Sequence, residues 1–429
     1  MADSLPGEFF GFEPLLTLED KERAGPAALG WDLDRMTDLL AALGHPERRM
    51  RCTLVSGSKG KGSTACLLEA MLRADGRRTG LYTSPHLHRY AERILVDGQP
   101  VVEEESRWGL GQVLAHRRQP VTAFEVATAF AIWQFARAGV EEAVVESGFG
   151  GAQDATAAVD PQVVLLGPIE REHTALFGSD ITDVARAEAA LCQGGRIVWS
   201  TVQPEEVGRV LKASAEARVQ MVPPATALPG GRFALATREG VLQGALLLQG
   251  GFQRANLALA AAGADSLGCS AAAILQGAQT AWLAGRLETI LLRPQVLVDS
   301  AHTVQSARAL AAALAEAEDA PRTVCIVGLL TDKDALGFCT ALAPVVDALW
   351  AVRPASPRAM SPTVLEEAAR WAGIASVSAE GIGTALADAM AAVGSAGRVV
   401  VTGSLRVVAE ARALMSASYP PTIPRVRYR

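Results

Sequence analysis

The most constraining feature of the sequence is a glycine-rich loop, Gly57-Ser58-Lys59-Gly60-Lys61-Gly62-Ser63-Thr64. It lies between a short apolar run, Met50 to Val55, and a segment of helical periodicity from Thr64 to Ala74 that closes near Gly76. Strand, loop and helix in that order are the context in which a loop cradles phosphate, because glycines expose backbone N–H groups and a helix N-terminus favours an anion. Lys61 adds a positive charge at the same place. The loop departs from the strict pattern G-x-x-x-x-G-K-[ST], since Gly62 follows Lys61 where Ser or Thr would stand. A flexible strand-to-helix turn would use the same residues, so the rest of the chain has to decide.

The alternation continues along the chain. Helical spacing from Trp31 to Leu43 stops at Gly44, Thr79 to Thr83 reads as a strand, Phe124 to Ala138 as a long helix, and Glu142-Ala143-Val144-Val145-Glu146 as a buried strand. Val163 to Leu166 and Arg196 to Trp199 are further apolar runs, and Phe233 to Gly250 changes to strands around a Glu239-Gly240 turn, a small antiparallel edge. Short apolar runs alternating with helices predict a mainly parallel sheet covered on both faces, an α/β fold. A new alternation starts after Leu292-Arg293-Pro294-Gln295, with strands at Val296–Asp299, Thr323–Val327, Ala348–Val352 and Arg398–Thr402 and helices at Val304–Glu316, Ala335–Leu342 and Pro362–Ala372. The expected domains are therefore 1–294, carrying the phosphate loop, and 295–429, Rossmann-like. A chain of 429 residues is long enough for two cores.

The formal net charge of -6 and the scattered arginines leave no electrostatic footprint for nucleic acid. No run approaches the ~20 uninterrupted apolar residues of a membrane span, and the start Met1-Ala2-Asp3-Ser4 lacks the basic and apolar regions of a signal peptide. The six cysteines are far apart, with no zinc-like spacing, and read as thiols of a reducing cytoplasm.

Past the loop come Leu81-Tyr82-Thr83-Ser84-Pro85-His86-Leu87 and Glu92-Arg93-Ile94. Later stand, in order, Phe124-Glu125, Glu146-Ser147-Gly148-Phe149-Gly150-Gly151, Asp154-Ala155-Thr156, Glu172-His173-Thr174, Gln253 with Asn256, Gly285-Arg286-Leu287-Glu288, Asp299-Ser300-Ala301-His302, Asp332-Lys333-Asp334 and Thr402-Gly403-Ser404-Leu405. In this order the motifs resemble the folylpolyglutamate synthase and dihydrofolate synthase family, within the Mur ligase superfamily, from about Leu33 to Arg412. The resemblance implies an N-terminal P-loop ATPase domain with a parallel sheet, a C-terminal Rossmann-like domain, and an active site in a cleft between them.

The resemblance also implies the chemistry: ATP turns a substrate carboxylate into an acyl phosphate, which the amino group of L-glutamate attacks to leave an amide. By this reading Gly57, Gly60, Gly62, Ser63 and Thr64 wrap the nucleotide phosphates and Lys61 holds the β- and γ-phosphates. Ser84, Glu146 and His173 bind magnesium, and Asn256, Arg286 and Asp299 contact ATP. Thr83, His86, Phe124 and Asp154 would meet the pteroate- or folate-like acid, and His302 and Ser404 the incoming glutamate. Catalysis would rest on Lys61, Glu146, His173 and His302, in a chain acting as a monomer.

Glu146 and Asp299 also stand out by position alone, each ending an apolar strand where an unpaired carboxylate is costly and where open α/β sheets bind ligands. Ser58-Lys59 replaces the family's Thr-Asn, Gly150-Gly151-Ala152-Gln153-Asp154-Ala155-Thr156-Ala157 lacks its arginine and asparagine, and Ala187-Glu188-Ala189-Ala190 lacks its carbamylated lysine. Glu188 is expected to supply the anionic oxygens that carbamylation would have made. The departures leave two other expectations open: a divergent ligase joining a different acid and amine, or a nucleotide-binding paralogue with impaired catalysis.

Overall fold

The computed structural model describes residues 7–20, 30, 32–171, 177–178, 180–214, 219–317 and 320–418. The chain divides into two compact units, one comprising 6–247 with 253–282, the other 248–252 with the chain from 283.

The first unit is built on an eight-stranded sheet of β1 (Arg51–Ser56), β2 (Thr79–Tyr82), β3 (Ile94–Val96), β4 (Gln99–Pro100), β5 (Glu142–Glu146), β6 (Val163–Leu166), β7 (Ile197–Thr201) and β8 (Val219–Val222). The order is β4-β3-β2-β5-β1-β6-β7-β8, parallel except that β3 pairs antiparallel with both β2 and β4. The central strands β5 and β6 are buried at every position, as expected of strands covered on both faces. One covering helix, Ala123–Ala138, begins with a reciprocal capping box between Thr122 and Glu125 and stops at Gly139 in the left-handed conformation. The expected antiparallel edge at 233–250 is instead a separate three-stranded sheet, β9 (Thr226–Leu228), β10 (Arg232–Thr237) and β11 (Gly240–Ala245), in the order β11-β10-β9.

The second unit holds a six-stranded sheet of β12 (Glu288–Leu292), β13 (Gln295–Val298), β14 (Thr323–Val327), β15 (Ala348–Ala351), β16 (Ala375–Ser378) and β17 (Arg398–Thr402), in the order β12-β13-β17-β14-β15-β16. The expected break at Pro294 is not where the units part. β12 pairs antiparallel with β13, so Arg293-Pro294 lies in the turn of a hairpin that belongs wholly to the second sheet. A proline after an apolar run reads as a linker in sequence, whereas the partner strand that makes it a turn becomes visible only in the pairing.

Candidate active site

β1 and β5 are parallel neighbours, with Val55 opposite Glu146. The chain ends that leave them are joined by Ser147 N–H donating to the Val55 carbonyl at 2.9 Å and by the buried Ser56 and Ser147 hydroxyls at 2.8 Å. The phosphate loop therefore starts beside the loop that follows Glu146. Gly57 has φ +105°, and a Cβ there would lie 2.8 Å from the Gly167 carbonyl oxygen. Gly60 has φ +78° and caps the helix Lys61–Ala74, which starts three residues before the sequence expectation of Thr64. The left-handed glycine turns the chain directly into a helix, and Gly62 is accommodated in the first turn despite its low propensity. The loop is also tied to the chain after β6: Ser58 N–H donates to Pro168 O at 2.8 Å, and Glu170 N–H to the Ser58 hydroxyl at 2.9 Å.

Lys61 folds back across this loop and donates from Nζ to the Gly57 carbonyl at 2.8 Å. Ser63 and Thr64 are buried, and Thr64 Oγ1 has no hydrogen-bond partner. Asn256, on the helix Gln253–Ser266, packs so close to Gly60 that any Cβ there would overlap its amide. Its Nδ2 donates to Gln253 Oε1 at 2.8 Å, and Gln253 Nε2 reaches the Ser63 hydroxyl at 3.3 Å. The structure thus brings Asn256 against the phosphate loop from nearly two hundred residues away in sequence.

Ser84 and Glu146 also come together, Ser84 N–H donating to Glu146 Oε2 at 2.9 Å. Glu188, on the helix Ile181–Ala189, is buried beside Ser56, Gly57, Lys61 and Gly150. Its Oε2 has no hydrogen-bond partner, and burial pushes its pKa up to about 7 against the opposing pull of the Ser56 hydroxyl and Lys61 charge. A buried, under-bonded carboxylate oxygen beside a phosphate loop is a fitting ligand for a hard cation. Among the described residues no three His, Cys, Asp or Glu side chains form a metal cage. One or two carboxylates completed by water and phosphate oxygens are the usual way magnesium is held. His173 lies outside the described residues.

Phe124 lies at the start of its helix, with its ring 6.1 Å from that of Tyr82 and its edge against Gly148. Thr83 is buried, its N–H donating to Arg93 O at 2.9 Å. Two residues expected to meet substrate are already hydrogen-bonded within the fold. Asp154 spends both carboxylate oxygens on its own loop: Oδ2 accepts from Phe149 N–H at 2.9 Å and Gly150 N–H at 3.2 Å, Oδ1 from Thr156 N–H at 2.9 Å and its hydroxyl at 2.6 Å. It is a positioning residue for the 147–156 loop. His86 likewise has both ring nitrogens engaged, by Glu8 at 2.8 Å and Arg93 at 2.8 Å, and burial and then Arg93 hold its pKa below the usual histidine range. Replacing Asp154 by Ala should destabilise the fold by about 2–4 kcal/mol, because buried N–H groups lose a charged acceptor. Urea unfolding tests this, and a loss under 1 kcal/mol would refute the positioning role.

In the second unit, Asp299, Ser300 and His302 follow β13, and Ser404 follows its parallel neighbour β17. Asp299 Oδ2 accepts from Leu287 N–H at 2.8 Å and Oδ1 from Ala301 N–H at 2.9 Å. Burial raises its pKa against the opposing charge of Arg286. Both oxygens therefore serve the backbone, and Asp299 shapes the turn that carries Arg286. Gly285 is tied to Ser300, whose hydroxyl donates to the Gly285 carbonyl at 2.8 Å. His302 Nδ1–H donates to Ser300 O at 2.9 Å, which in the neutral ring leaves Nε2 unprotonated. Gly403 N–H donates to Ala301 O at 2.9 Å, so the turns bearing His302 and Ser404 are adjacent. Asp334 is an N-cap, accepting from Gly337 N–H at 2.9 Å. Ser56 and Ser147 stand within or beside the sequence motifs without a role, and their mutual hydroxyl bond at the ends of β1 and β5 appears only in the fold.

A phosphate loop on one α/β unit, followed by a second, mainly parallel α/β unit with Asp299, His302 and Ser404 after its strand ends, is the organisation of the Mur ligase class of folds. Residues 285–405 match the family described as Mur ligase, glutamate ligase domain. The probable bifunctional folylpolyglutamate synthase/dihydropteroate synthase of Halobacterium salinarum is 33% identical over 432 residues, covering 94% of this chain and 52% of the relative. The dihydrofolate synthase/folylpolyglutamate synthase of Escherichia coli is 30% identical over 390 residues, covering 90% of this chain and 91% of the relative. Among solved structures, Mycobacterium tuberculosis folylpolyglutamate synthase complexed with ADP aligns with a TM-score of 0.84 at 30% identity, over 92% of this chain and 96% of that one. The Yersinia pestis bifunctional folylpolyglutamate synthase/dihydrofolate synthase with Mn, AMPPNP and L-glutamate bound aligns with a TM-score of 0.79 at 30% identity, over 90% and 95%. The chain belongs to the folylpolyglutamate synthase/dihydrofolate synthase family. It spans about half the length of its haloarchaeal relatives.

Proposed function

We propose that this chain is an ATP- and magnesium-dependent amide ligase that adds L-glutamate to dihydropteroate, to folates, or to both. The observation that carries the proposal is the under-bonded carboxylate of Glu188, buried beside Lys61 at the phosphate loop. The nucleotide in the Mycobacterium structure, and the metal ion, nucleotide and L-glutamate in the Yersinia structure, support the choice of substrates.

The backbone N–H groups of the loop from Gly57 and the start of helix Lys61–Ala74 would receive the phosphates, with Lys61 on the β- and γ-phosphates. Magnesium, when bound, offsets phosphate charge so that an anionic carboxylate can approach. Glu146, Glu188 and the Ser84 side are the chain's own candidates to hold it, with His173 as a further one. A substrate carboxylate oxygen attacks the γ-phosphorus, the bond to the β-phosphate oxygen breaks, and ADP leaves. The glutamate ammonium group first loses a proton, its nitrogen attacks the acyl carbon, phosphate departs, and the nitrogen gives up a second proton to leave the amide. Arg286 and Asn256 would serve the nucleotide, Asp299 would hold the Arg286 turn, and His302 and Ser404 would receive glutamate. His302 Nε2, unprotonated in the neutral ring, suits a bond from the ammonium group.

Thr83 and Phe124 would flank the acid. Six buried free cysteines suit a reducing cytoplasm, where the chain would act as a monomer. Among the described residues no helix is long and apolar enough to cross a membrane.

ADP release measured with dihydropteroate, with tetrahydrofolate and without acid, each with and without glutamate, tests the proposal. Release that requires both a folate-type acid and glutamate is expected. Turnover with an unrelated acid would point to the divergent ligase suggested by Ala152 and Ala157, and nucleotide binding without turnover to a binding paralogue.

A further inference from the structure

The N-terminal segment is bound to two parts of the first unit at once. Glu8 is buried, its side chain 2% exposed, and its carboxylate meets His86 Nε2 at 2.8 Å. Arg93 Nε–H can only donate, and it donates to His86 Nδ1 at 2.8 Å. His86 is therefore held with the proton on Nε2, which it gives to Glu8. Glu8 fastens the same loop a second time through its carbonyl, which accepts from Tyr90 N–H at 2.8 Å. The Phe9 ring lies 5.8 Å from His86 and 5.3 Å from Tyr90, and Phe12 stacks on Tyr90 at 4.8 Å.

The far end of the segment holds a different element. Glu19 O accepts from Ala123 N–H at 2.8 Å, at the first residue of the helix that carries Phe124. Phe12 also meets Phe130 of that helix edge-on at 6.0 Å. Between the two ends Gly11, at φ +76°, lies so close to the Glu103 carbonyl that no side chain fits.

We propose that residues 7–19 are a clasp that sets the 83–93 loop against the start of helix Ala123–Ala138, with Glu8 as a positioning residue for the acid substrate. The inference rests on the reading of Thr83, Ser84 and Phe124 as the acid side of the site. Glu8 acts through His86 on Arg93, whose carbonyl accepts from Thr83 N–H, and so fixes the turn bearing Ser84.

The test compares the full chain with Glu8→Ala, Glu8→Gln and, as a surface control, Glu13→Gln, whose residue pairs with Arg107 in solvent. Amide hydrogen exchange over 83–93, the KM for dihydropteroate and tetrahydrofolate, and the ADP dissociation constant are measured for each. Glu8→Ala should speed exchange over 83–93 and raise the acid KM, each by about tenfold, with ADP affinity changed less than about twofold. Glu8→Gln, whose amide oxygen can still accept from His86 Nε2–H, should restore most of both, and Glu13→Gln should match the parent chain. Unchanged exchange in Glu8→Ala overturns the clasp. So does a parallel loss of ADP affinity and acid binding, which marks general loosening, or a Glu8→Gln as impaired as Glu8→Ala. If the unmutated chain turns over neither acid, the ligase reading fails, and the exchange data alone decide the clasp.

Discussion

Lys61→Ala should reduce acid-dependent ADP release by about a thousandfold. The Nζ of Lys61 spans the phosphate loop to the Gly57 carbonyl, and the residue opens the helix that follows. A unit charge about 4 Å from a phosphate oxygen, at the effective dielectric of a partly shielded site, is worth about 4 kcal/mol. That energy corresponds to roughly three decades in rate when it is realised on charge that develops in transfer. The fold should survive, because the loop's bonds to Pro168 O and from Glu170 N–H involve Ser58 and not the lysine. Single-turnover ADP formation at saturating ATP, with a thermal melt as control, checks the expectation. A fall of less than tenfold would remove Lys61 from the reaction.

Glu188→Gln should do two opposite things. In the absence of divalent ions the folded-state pKa of Glu188, raised to about 7, lies above its ordinary 4.5, so the fold favours the protonated carboxyl. The native state is therefore least penalised below about 4.5, and stability is lost as pH rises through about 7. At pH 8 in a chelator, the neutral amide should stabilise the chain by about 1–2 kcal/mol, since part of the gain is offset by new unpaired N–H groups. At pH 5, where most of the ionisation penalty is absent but the unpaired amide N–H groups remain, the gain should be lost and the variant should be no more stable than the parent chain. Activity should move the other way, falling by about a hundredfold or more with a raised magnesium requirement, because the amide carries no charge for the ion. Urea unfolding at both pH values and a magnesium titration of turnover test the pair of effects. A destabilised variant at pH 8, or one with unaltered magnesium dependence, contradicts the role given to Glu188.

Much of the central sheet in each unit was legible because its strands advertise themselves. Val163–Leu166, Thr323–Val327 and Arg398–Thr402 are apolar runs that the structure realises with the same bounds. Buried parallel strands need no alternation, so composition alone marks them. The hairpin of β12 and β13 was not legible, because Leu292-Arg293-Pro294-Gln295 carries the same local signal whether it links domains or turns a strand back. Helix Ile382–Val393 and strand β16 escaped for a related reason: small residues in Ala375–Ser378 and alanine-rich periodicity leave little contrast between element and connection.

At the site, the sequence by itself marked a glycine-rich loop between strand and helix and the carboxylates Glu146 and Asp299 at the ends of apolar runs, while the reaction class was only what the resemblance of its ordered motifs implied. The loop and the carboxylates are local matters of residue type and spacing. Only the tertiary structure decided how far each polar atom is already engaged. Asp154 and His86 have the right chemistry for ligands, yet Asp154 accepts four bonds within its own loop and both His86 ring nitrogens are engaged, whereas each Asp299 oxygen accepts one backbone N–H. Glu188, a change of residue type in a short helix, keeps a buried oxygen without a partner beside Lys61. Sequence lists the groups able to bind, whereas desolvation and the closing of hydrogen bonds between distant segments determine which retain that capacity.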